Sequence, residues 1–358
     1  MADNNENKVL NVPHLRFPKF SGEWERKRLK DVCNIRTGNK NTQDKSDNGI
    51  YPFYVRSQIV ERINSWTFDG EAILTAGDGV GVGKVFHYST GKIGVHQRVY
   101  ILSDFKCDGK YLYSYFAGNF YNRVKRMSAK NSVDSVRMEM IADMPIALPS
   151  IEEQKKIGHL LALLDDRIAT QNKIIEKLQS LIKGLAAQLT QSGTPNVRLC
   201  DCLECHSSTL QENCVSATGS YPVYGATGLI GYTNGYAYNG ESILIVKDGS
   251  GVGSLSYAND CYSVIGTLNY LTAKGKYSVL YLYYALMAFN FTPYITGMAI
   301  PHIYFKDYGK AKVFCPSIEN QIRIASLLHN IEQKLVVEQN LIISLSAQKS
   351  YLLRMLFI

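Results

Sequence analysis

Two glycine-rich segments of this chain are candidates for binding a phosphate or a nucleotide. They read DGVGVG at 78–83 and DGSGVG at 248–253, and Lys84 follows the first. A phosphate-binding loop needs glycine six residues before its lysine and serine or threonine after it, whereas Asp78 and Val85 stand at those places. The dinucleotide pattern G-x-G-x-x-G fits neither segment. Both segments therefore predict tight turns that use the backbone freedom of glycine.

A second group of chemically capable residues lies at 200–214. Its members are Cys200, Cys202, Cys205, His206 and Cys214. They could be interpreted as a zinc site, but the internal repeat described below aligns Cys202 with Val32 and Cys205 with Ile35. These positions are typical of an apolar core, where free cysteine is common. No bound metal is expected.

Catalytic constellations are weak in this sequence. His87 and His96 have no convincing serine, cysteine or carboxylate partner, so surface or packing roles are expected for both. A DNA adenine methyltransferase would need an Asn-Pro-Pro-Tyr or Asp-Pro-Pro-Tyr motif to hold a flipped adenine. The chain has no Pro-Pro pair, and FTPY at 291–294 matches the motif poorly. The enzyme alternative is disfavoured.

The elements that position these residues occur twice. A shift of 170 positions aligns Tyr51–Gly83 with Tyr221–Gly253 without a gap, and 13 of the 33 pairs are identical. A shift of 167 then aligns PSIEEQKKI at 149–157 with PSIENQIRI at 316–324. Each copy consists of short runs rich in Val, Ile and Tyr, broken by turn residues, which predicts a small, mainly β or mixed domain.

A long amphipathic helix is predicted after each copy. Its apolar residues follow a heptad spacing, which is typical of a coiled coil. The seam residues are Ile157, Leu161, Leu164, Ile168, Ile175, Leu178, Ile182 and Leu185 in the first helix, and Ile324, Leu328, Ile331, Leu335, Ile342, Leu345 and Leu352 in the second. Gln171 and Glu338 interrupt the seam at aligned positions, and Lys349 replaces Ile182. If a twofold axis relates the two copies of the repeat, the two helices run antiparallel.

The start of the first helix carries a predicted capping box. Ser150 is followed three residues later by Glu153, so that each side chain could bind the backbone amide of the other residue. In the second helix Asn320 replaces the glutamate, which predicts a less firmly fixed start.

Composition agrees with a globular protein of several cores. The chain has 358 residues, 46% of them hydrophobic and 20% charged, and a formal net charge of +8, with +6 of it in residues 1–150. No apolar stretch is long enough to span a bilayer, and eight scattered cysteines do not form a disulfide framework. A cytoplasmic protein is expected.

Three segments together resemble the specificity subunits of type I restriction-modification systems. They are LRFPKFSGEWERKRLKDV near the start, PSIEEQKKI opening the first long helix and PSIENQIRI opening the second. The resemblance extends from about Leu15 to the C-terminus. It implies an α+β chain in which two small α/β target recognition domains, related by a pseudo-twofold internal repeat, are joined by two long antiparallel coiled-coil helices.

The resemblance implies these boundaries: a first recognition domain at 1–148 with a tail over about 1–14, a central helix at 149–192, a second recognition domain at 193–315 and a C-terminal helix at 316–358. Each domain would read one half of a bipartite, asymmetric site on double-stranded DNA. The helices would set the spacer between the halves and dock two methyltransferase subunits, which nuclease-translocase subunits join.

The resemblance further implies that this chain is not itself an enzyme and holds no cofactor. S-adenosylmethionine belongs to the methyltransferase partners, and ATP and Mg²⁺ to the nuclease partner. A different class remains open, namely a coiled-coil scaffold whose terminal domains bind other proteins. Neither the DNA target nor the spacer length can be derived from the residues.

Candidate DNA contacts are long polar residues in predicted loops, since phosphates are bound by basic groups and base edges by Arg, Lys, Asn or Gln. In the first copy they are Arg56, Lys84, Gln97, Arg98, Arg123, Lys125, Arg126, Lys130 and Arg137. In the second they are Lys247, Lys274, Lys276, His302, Lys306 and Lys310. A solvated surface loop is the alternative for the basic segment 123–137. The second copy, with 16 of the 24 tyrosines lying beyond residue 190, is expected to rely more on hydroxyls and backbone amides.

Overall fold

The computed structural model describes residues 11–127 and 135–358. The chain divides into two compact units. Unit 1 runs to Gln171 and also includes Leu341–Ile358, whereas unit 2 is Asn172–Asn340. In the described part of the chain no helix has the length and apolar character needed to cross a membrane.

Unit 1 alternates short strands with helices. Its strands are β1 (Glu25–Arg28), β2 (Asn34–Thr37), β3 (Tyr51–Tyr54), β4 (Glu61–Ile63), β5 (Phe68–Asp69), β6 (Ala72–Ala76), β7 (Phe86–Ser89), β8 (Lys92–Val95), β9 (Val99–Ser103) and β10 (Pro145–Leu148). Its helices are α1 (Leu29–Val32), α2 (Gly109–Met127), α3 (Met138–Ala142) and the first half of α4 (Ile151–Thr190).

Three sheets organise these strands, in the orders β2-β9-β6-β7, β4-β3-β8-β5 and β1-β10. Strand β6 reads AILTA and is buried throughout because both of its faces are covered. Ile73 packs into the core that contains Tyr111 and Phe116 of α2, whereas Leu74 packs into a second core with Val95 and other residues of both four-stranded sheets. This short and mostly apolar run thus forms a central strand that is covered on both faces.

Unit 2 repeats this plan. Its strands are β11 (Val197–Arg198), β12 (Leu203–Ser207), β13 (Tyr221–Gly225), β14 (Gly228–Thr233), β15 (Tyr238–Asn239), β16 (Ser242–Val246), β17 (Leu255–Ala258), β18 (Cys261–Val264), β19 (Leu268–Ala273) and β20 (Lys312–Val313), and its helices are α5 (Leu199–Cys202), α6 (Val279–Met287), α7 (Phe305–Tyr308) and the first part of α8 (Ile318–Met355). The sheet orders are β12-β19-β16-β17, β14-β13-β18-β15 and β11-β20. Every strand has its counterpart in unit 1, including the parallel pairs β3–β8 and β13–β18. The predicted internal duplication is confirmed.

The long helices run in opposite directions within each unit. In unit 1 the first turns of α4, with Ile157 and Leu161, share a core with Leu356 near the end of α8. In unit 2 the last turns of α4, with Ile182, share a core with Leu328 near the start of α8. The predicted α+β architecture with two antiparallel long helices is confirmed.

The predicted seam residues all lie buried or half-buried in the structure. Polar residues within the seam are also buried, with Gln171 5% and Glu338 7% exposed. Glu338 forms an ion pair with Lys334 one turn earlier, and Lys349 forms one with Asp165 of the facing helix in unit 1. A buried charge needs such a partner because desolvation is costly.

A buried glutamine fixes the start of each long helix. Gln154 donates from Nε2 to the carbonyl of Pro149 (2.8 Å) and accepts from the backbone N–H of Asp108 (3.0 Å), just before α2. Gln321 donates to the carbonyl of Pro316 (2.9 Å) and accepts from the N–H of Ser278 (3.1 Å), just before α6. The repeated P-x-x-x-x-Q motif therefore joins each long helix to the aromatic helix of its small domain.

The predicted capping box is only half correct. The Ser150 hydroxyl accepts from the N–H of Glu153 (3.4 Å), but among the described residues the buried Glu153 carboxylate is bound by Nε and Nη2 of Arg16 (2.8 Å each). A two-point bond to guanidinium is stronger than a bond to one amide. At the start of α8 Gln321 makes the same two bonds as Gln154, so the glutamine junction is common to both helices, and the looser start of α8 stays a prediction.

The C-terminal residues complete the core of unit 1. Phe357 is 6% exposed and packs edge-on against Tyr111 (ring centroids 5.2 Å apart) and Tyr115 (5.4 Å). The carbonyl of Met355 accepts a hydrogen bond from the N–H of Leu15 (2.8 Å). The first and last described parts of the chain thus meet in one unit.

We expect Phe357→Ala to destabilise unit 1 by about 3–5 kcal/mol, because it leaves a cavity between two buried tyrosines. Trp24 and Trp66 are the two tryptophans of the chain and both lie in unit 1, so tryptophan fluorescence during urea unfolding monitors that unit. Ile358→Ala, at an exposed neighbour, is the control and should change the free energy of unfolding by less than about 0.5 kcal/mol. Equal effects of the two variants would contradict the packing of Phe357.

Gln154→Ala should cost unit 1 about 1–3 kcal/mol, since it leaves the N–H of Asp108 and the carbonyl of Pro149 without their partner. The same fluorescence measurement applies. Lys155→Ala, at the exposed next position, is the matched control and should be close to neutral. A neutral Gln154→Ala would mean that solvent replaces both bonds.

Candidate nucleic-acid interface

The glycine-rich segment of unit 1 forms two successive tight turns after β6. The N–H of Val82 donates to the carbonyl of Gly79 (3.1 Å), and that of Lys84 to the carbonyl of Gly81 (3.0 Å). Gly79 has φ +78° and Gly83 has φ +65°, a left-handed backbone that disfavours any side chain. Val80 at the tip is fully exposed. The segment thus presents backbone and one small side chain to solvent.

Strand pairing brings three loops of unit 1 to one end of its sheets. Because β6 and β9 are antiparallel, with Ala76 opposite Val99, the residue after β6 lies beside the residue before β9. Because β3 and β8 are parallel, the segment after β3 lies beside the one after β8. The loops that carry Arg56, Asp78 and Arg98 therefore converge.

Two arginines share one carboxylate at this point. Arg56 donates from Nη1 to Oδ1 of Asp78 (2.8 Å), and Arg98 from Nη1 to Oδ2 (2.5 Å). The Asp78 side chain is 19% exposed, against 44% for Arg56 and 61% for Arg98. Partial burial by itself would raise the pKa of Asp78, but the two guanidinium groups outweigh it and hold the pKa below its usual value. The carboxylate is thus charged and paired.

Polar side chains surround this cluster. Gln97 donates to the side-chain carbonyl of Asn41 (2.6 Å). Ser135 pairs with Asp78 in an isolated β-bridge, and exposed Arg137 follows two residues later. The structure therefore brings together Arg56, Gln97 and Arg98 of the predicted contacts, and Arg137 lies two residues along the chain from Ser135.

The remaining predicted contacts of the first copy have different surroundings. Lys84 lies over the ring of Tyr121, with Nζ 5.5 Å from the centroid. Arg123 is half-buried and donates from Nε to the carbonyl of Met140 (2.9 Å), which gives it a structural bond. Lys125 and Arg126 are exposed in the last turn of α2. Lys130 lies outside the described residues.

In unit 2 the aligned loops carry less charge. Asp248 occupies the place of Asp78, but Ala226 and Thr267 stand where unit 1 has Arg56 and Arg98. The carbonyl of Thr267 accepts from the N–H of Lys247, just as the carbonyl of Arg98 accepts from the N–H of Gly77. Asp248 pairs in a β-bridge with His302, just as Asp78 pairs with Ser135. The same framework therefore presents different chemistry in the two units.

The predicted contacts of the second copy fall into two groups. Lys247, His302 and Lys306 belong to the glycine-loop end, where the carbonyl of Lys247 accepts from the N–H of Ile303 (3.0 Å) and Lys306 lies over Tyr304.

Lys274, Lys276 and Lys310 form the second group, at the opposite end of β19. Lys274 donates from Nζ to the carbonyl of Cys200 (3.0 Å). The N–H of Cys200 in turn donates to the carbonyl of Gly309, the residue before Lys310. The structure does not bring these three lysines to the first group.

Two features of the candidate interface are neither basic nor amide side chains and were not predicted. One is Asp78, although its recurrence as Asp248 in the repeated glycine segment was an available signal. The other is a hairpin in unit 2. It is closed by two hydrogen bonds, from the N–H of Thr296 to the carbonyl of His302 (2.9 Å) and from the N–H of His302 to the carbonyl of Thr296 (2.8 Å). Its tip exposes Met298 and Ile300. No pattern in the sequence distinguishes this tip from an ordinary loop.

The cysteine and histidine positions have structural surroundings. Cys202 is fully buried in the core of unit 2, and its thiol donates to the carbonyl of Leu199 (3.5 Å). His96 is buried beside the arginine cluster, where Nδ1 accepts from the N–H of Arg98 (3.0 Å) and Nε2 lies 3.3 Å from the hydroxyl of Thr42. Burial and the neighbouring arginine Arg56 lower the pKa of His96, although Asp78 acts in the opposite sense.

Comparison with known proteins assigns the family. The model of the type I restriction modification DNA specificity domain matches residues 21–180 and again 196–347. Since these matches cover most of the chain and coincide with its two copies, the chain belongs to this family.

Individual relatives agree with this assignment. The EcoDI specificity subunit of Escherichia coli is 28% identical over 165 residues, which are 46% of this chain and 36% of that protein. The MjaVIII specificity subunit of Methanocaldococcus jannaschii is 28% identical over 193 residues, 50% of this chain and 44% of that protein. The aligned stretches thus span less than half of either relative.

A solved structure has the same fold over nearly the whole chain. The S subunit of a type I restriction-modification system from M. genitalium superposes with a TM-score of 0.76 at 17% identity, covering 97% of this chain and 99% of that one.

Acid should destabilise unit 1 partly through His96. Its pKa is lower in the folded chain than in the unfolded chain, so its contribution to stability is complete above the unfolded pKa and is lost as the pH falls through the folded pKa. We expect the urea midpoint, followed by tryptophan fluorescence from about pH 8 to about pH 5, to fall less in His96→Gln than in the parent chain. His14→Gln, at an exposed position, should retain the acid sensitivity of the parent. An unchanged pH dependence in His96→Gln would rule out this contribution.

Proposed function

We propose that this chain is the DNA sequence-recognition subunit of a type I restriction-modification enzyme. Its two recognition domains, at 1–148 and 193–315, each read one half of a bipartite, asymmetric site on double-stranded DNA. The observation that carries the proposal is the repeated framework with unequal loops. Asp78 lies between two arginines in unit 1, whereas the corresponding positions of unit 2 hold Ala226 and Thr267.

We infer that the converging loops are the DNA-facing ends of the domains. In unit 1 the contacts are Arg56, Lys84, Gln97, Arg98 and Arg137. In unit 2 they are Lys247, His302 and Lys306. Loops on a rigid scaffold can change side chains without disturbing the core, which is what a family that reads many sequences requires. Base edges are read by side chains of this kind, whereas phosphates bind any suitably placed positive charge.

The helices at 149–192 and 316–358 take a second role in this proposal. They set the spacer between the half-sites and dock two methyltransferase subunits, with nuclease-translocase subunits joining the complex in the cytoplasm. Chemistry, S-adenosylmethionine, ATP and Mg²⁺ belong to those partners. The chain itself binds the DNA and positions the partner subunits on it.

The proposal is tested by selecting duplexes from a pool with a randomised segment, using the full-length chain. We expect a motif with two fixed halves and an unspecified spacer. In a variant with seven residues inserted after Lys173 and seven after Asn340, both halves should persist and the spacer should lengthen by about three base pairs. Seven helical residues add about 10 Å, and stacked base pairs are about 3.4 Å apart.

A heptad is inserted because it keeps the seam residues in phase, and the two positions are equivalent under the 167-residue shift. The control is a seven-residue insertion after Asn259, in an exposed turn outside the helices, which should leave the spacer unchanged. An enriched motif without a gap, or a spacer that ignores the heptads, would refute the spacer role. Absence of any enriched motif would refute DNA recognition by this chain.

A further inference from the structure

The cluster of Arg56, Asp78 and Arg98 has a property that simple phosphate binding does not require. Each guanidinium gives one terminal nitrogen, Nη1, to a different oxygen of the same carboxylate. The Arg56 and Arg98 side chains are 44% and 61% exposed, so the edges of the guanidinium groups that do not contact Asp78 are accessible to solvent. The planar groups are thus held at defined angles while their outer edges face solvent.

Holding an arginine in this way affects which DNA groups it favours. A free arginine loses about 2 kcal/mol of rotamer entropy when it is fixed, and the ion pairs with Asp78 offset part of this loss for Arg56 and Arg98 before DNA binds. The carboxylate also reduces the charge of the cluster to that of a single cation, which weakens attraction to phosphate. Two parallel N–H groups at a fixed angle match the O6 and N7 acceptors of guanine in the major groove. The cluster is therefore better suited to an oriented contact with a base edge than to charge attraction by a phosphate.

We infer, on the basis of the proposed function, that the Arg56–Asp78–Arg98 cluster recognises a guanine in the half-site read by unit 1, with Asp78 as the positioning residue. The neighbouring amide pair of Gln97 and Asn41 lies at the same end of the unit. Unit 2 has the aspartate at 248 but no guanidinium at 226 or 267, the positions that correspond to Arg56 and Arg98, so this loop position reads guanine in one half-site only.

The test uses the full-length chain and the same randomised duplex pool. The parent chain should enrich a motif with an invariant G·C pair in one half. In Asp78→Asn the preference for that pair should fall about ten- to a hundred-fold, the discrimination expected of a two-point arginine contact, while the other half stays unchanged. Arg98→Lys, which keeps the charge but lacks the planar pair of donors, should lose the same preference.

Two measurements separate positioning from a general effect on the fold or the charge. Asp69→Asn removes one negative charge from the exposed side chain at the other end of β6 and should leave the motif intact. Tryptophan fluorescence during urea unfolding should give similar midpoints for both Asn variants. Replacing the invariant guanine by 7-deazaguanine, which lacks N7, should weaken binding by the parent chain but not by Asp78→Asn.

The outcomes distinguish this inference from the proposed function. A two-part motif without an invariant G·C pair, or one that Asp78→Asn leaves unchanged, overturns guanine recognition while DNA recognition stands. A variant that keeps the motif and changes only the salt dependence of binding assigns the arginines to phosphate, and also overturns it. A parent chain that enriches no motif overturns both.

Discussion

One buried glutamine at the start of each long helix joins that helix to its small domain. The amide of Gln154 and that of Gln321 each bind two backbone groups, one before the long helix and one before the aromatic helix. Because an amide donates and accepts in fixed directions, the pair of bonds sets the position from which the long helix leaves the domain. Both glutamines are buried, so the loss of either bond carries a full desolvation cost. The packing of α2 and α6 against the long helices follows from this junction.

The core of unit 1 contains residues from widely separated parts of the chain. Phe357 and Leu356 fill the core that holds Tyr111, so residues far apart in sequence must meet before the first domain is complete. Contacts of this kind add loop-closure entropy and slow folding. Unit 2, in contrast, is a continuous stretch from Asn172 to Asn340. The two units share one architecture, but unit 1 needs contacts between distant parts of the chain and unit 2 forms from one continuous segment.

Duplication and divergence act on different parts of the same architecture. Strand order, sheet pairing and the glutamine junctions are identical in the two units, because each is needed to close a core. The loops after β6 and β16 keep their glycine turns, yet the two arginines that bind Asp78 are replaced in unit 2 by the uncharged residues Ala226 and Thr267. A framework that tolerates such changes can present two unrelated surfaces, which agrees with two unequal half-sites.

The sequence by itself determined the features that rest on local periodicity or on repetition. The duplication, the heptad seams, the glycine turns and the position of Gln154 in its motif all follow from spacing along the chain. The family resemblance followed from the same motifs. Tertiary structure decided the rest, because strand pairing brings together residues that no spacing relates.

Asp78 is such a case, since it joins arginines 22 residues before it and 20 after it. The inward bond of Arg123 and the separation of Lys274, Lys276 and Lys310 from the glycine-loop end are others. A basic residue in a loop has the same pattern whether it faces a carbonyl, a carboxylate or solvent, and only packing distinguishes these surroundings.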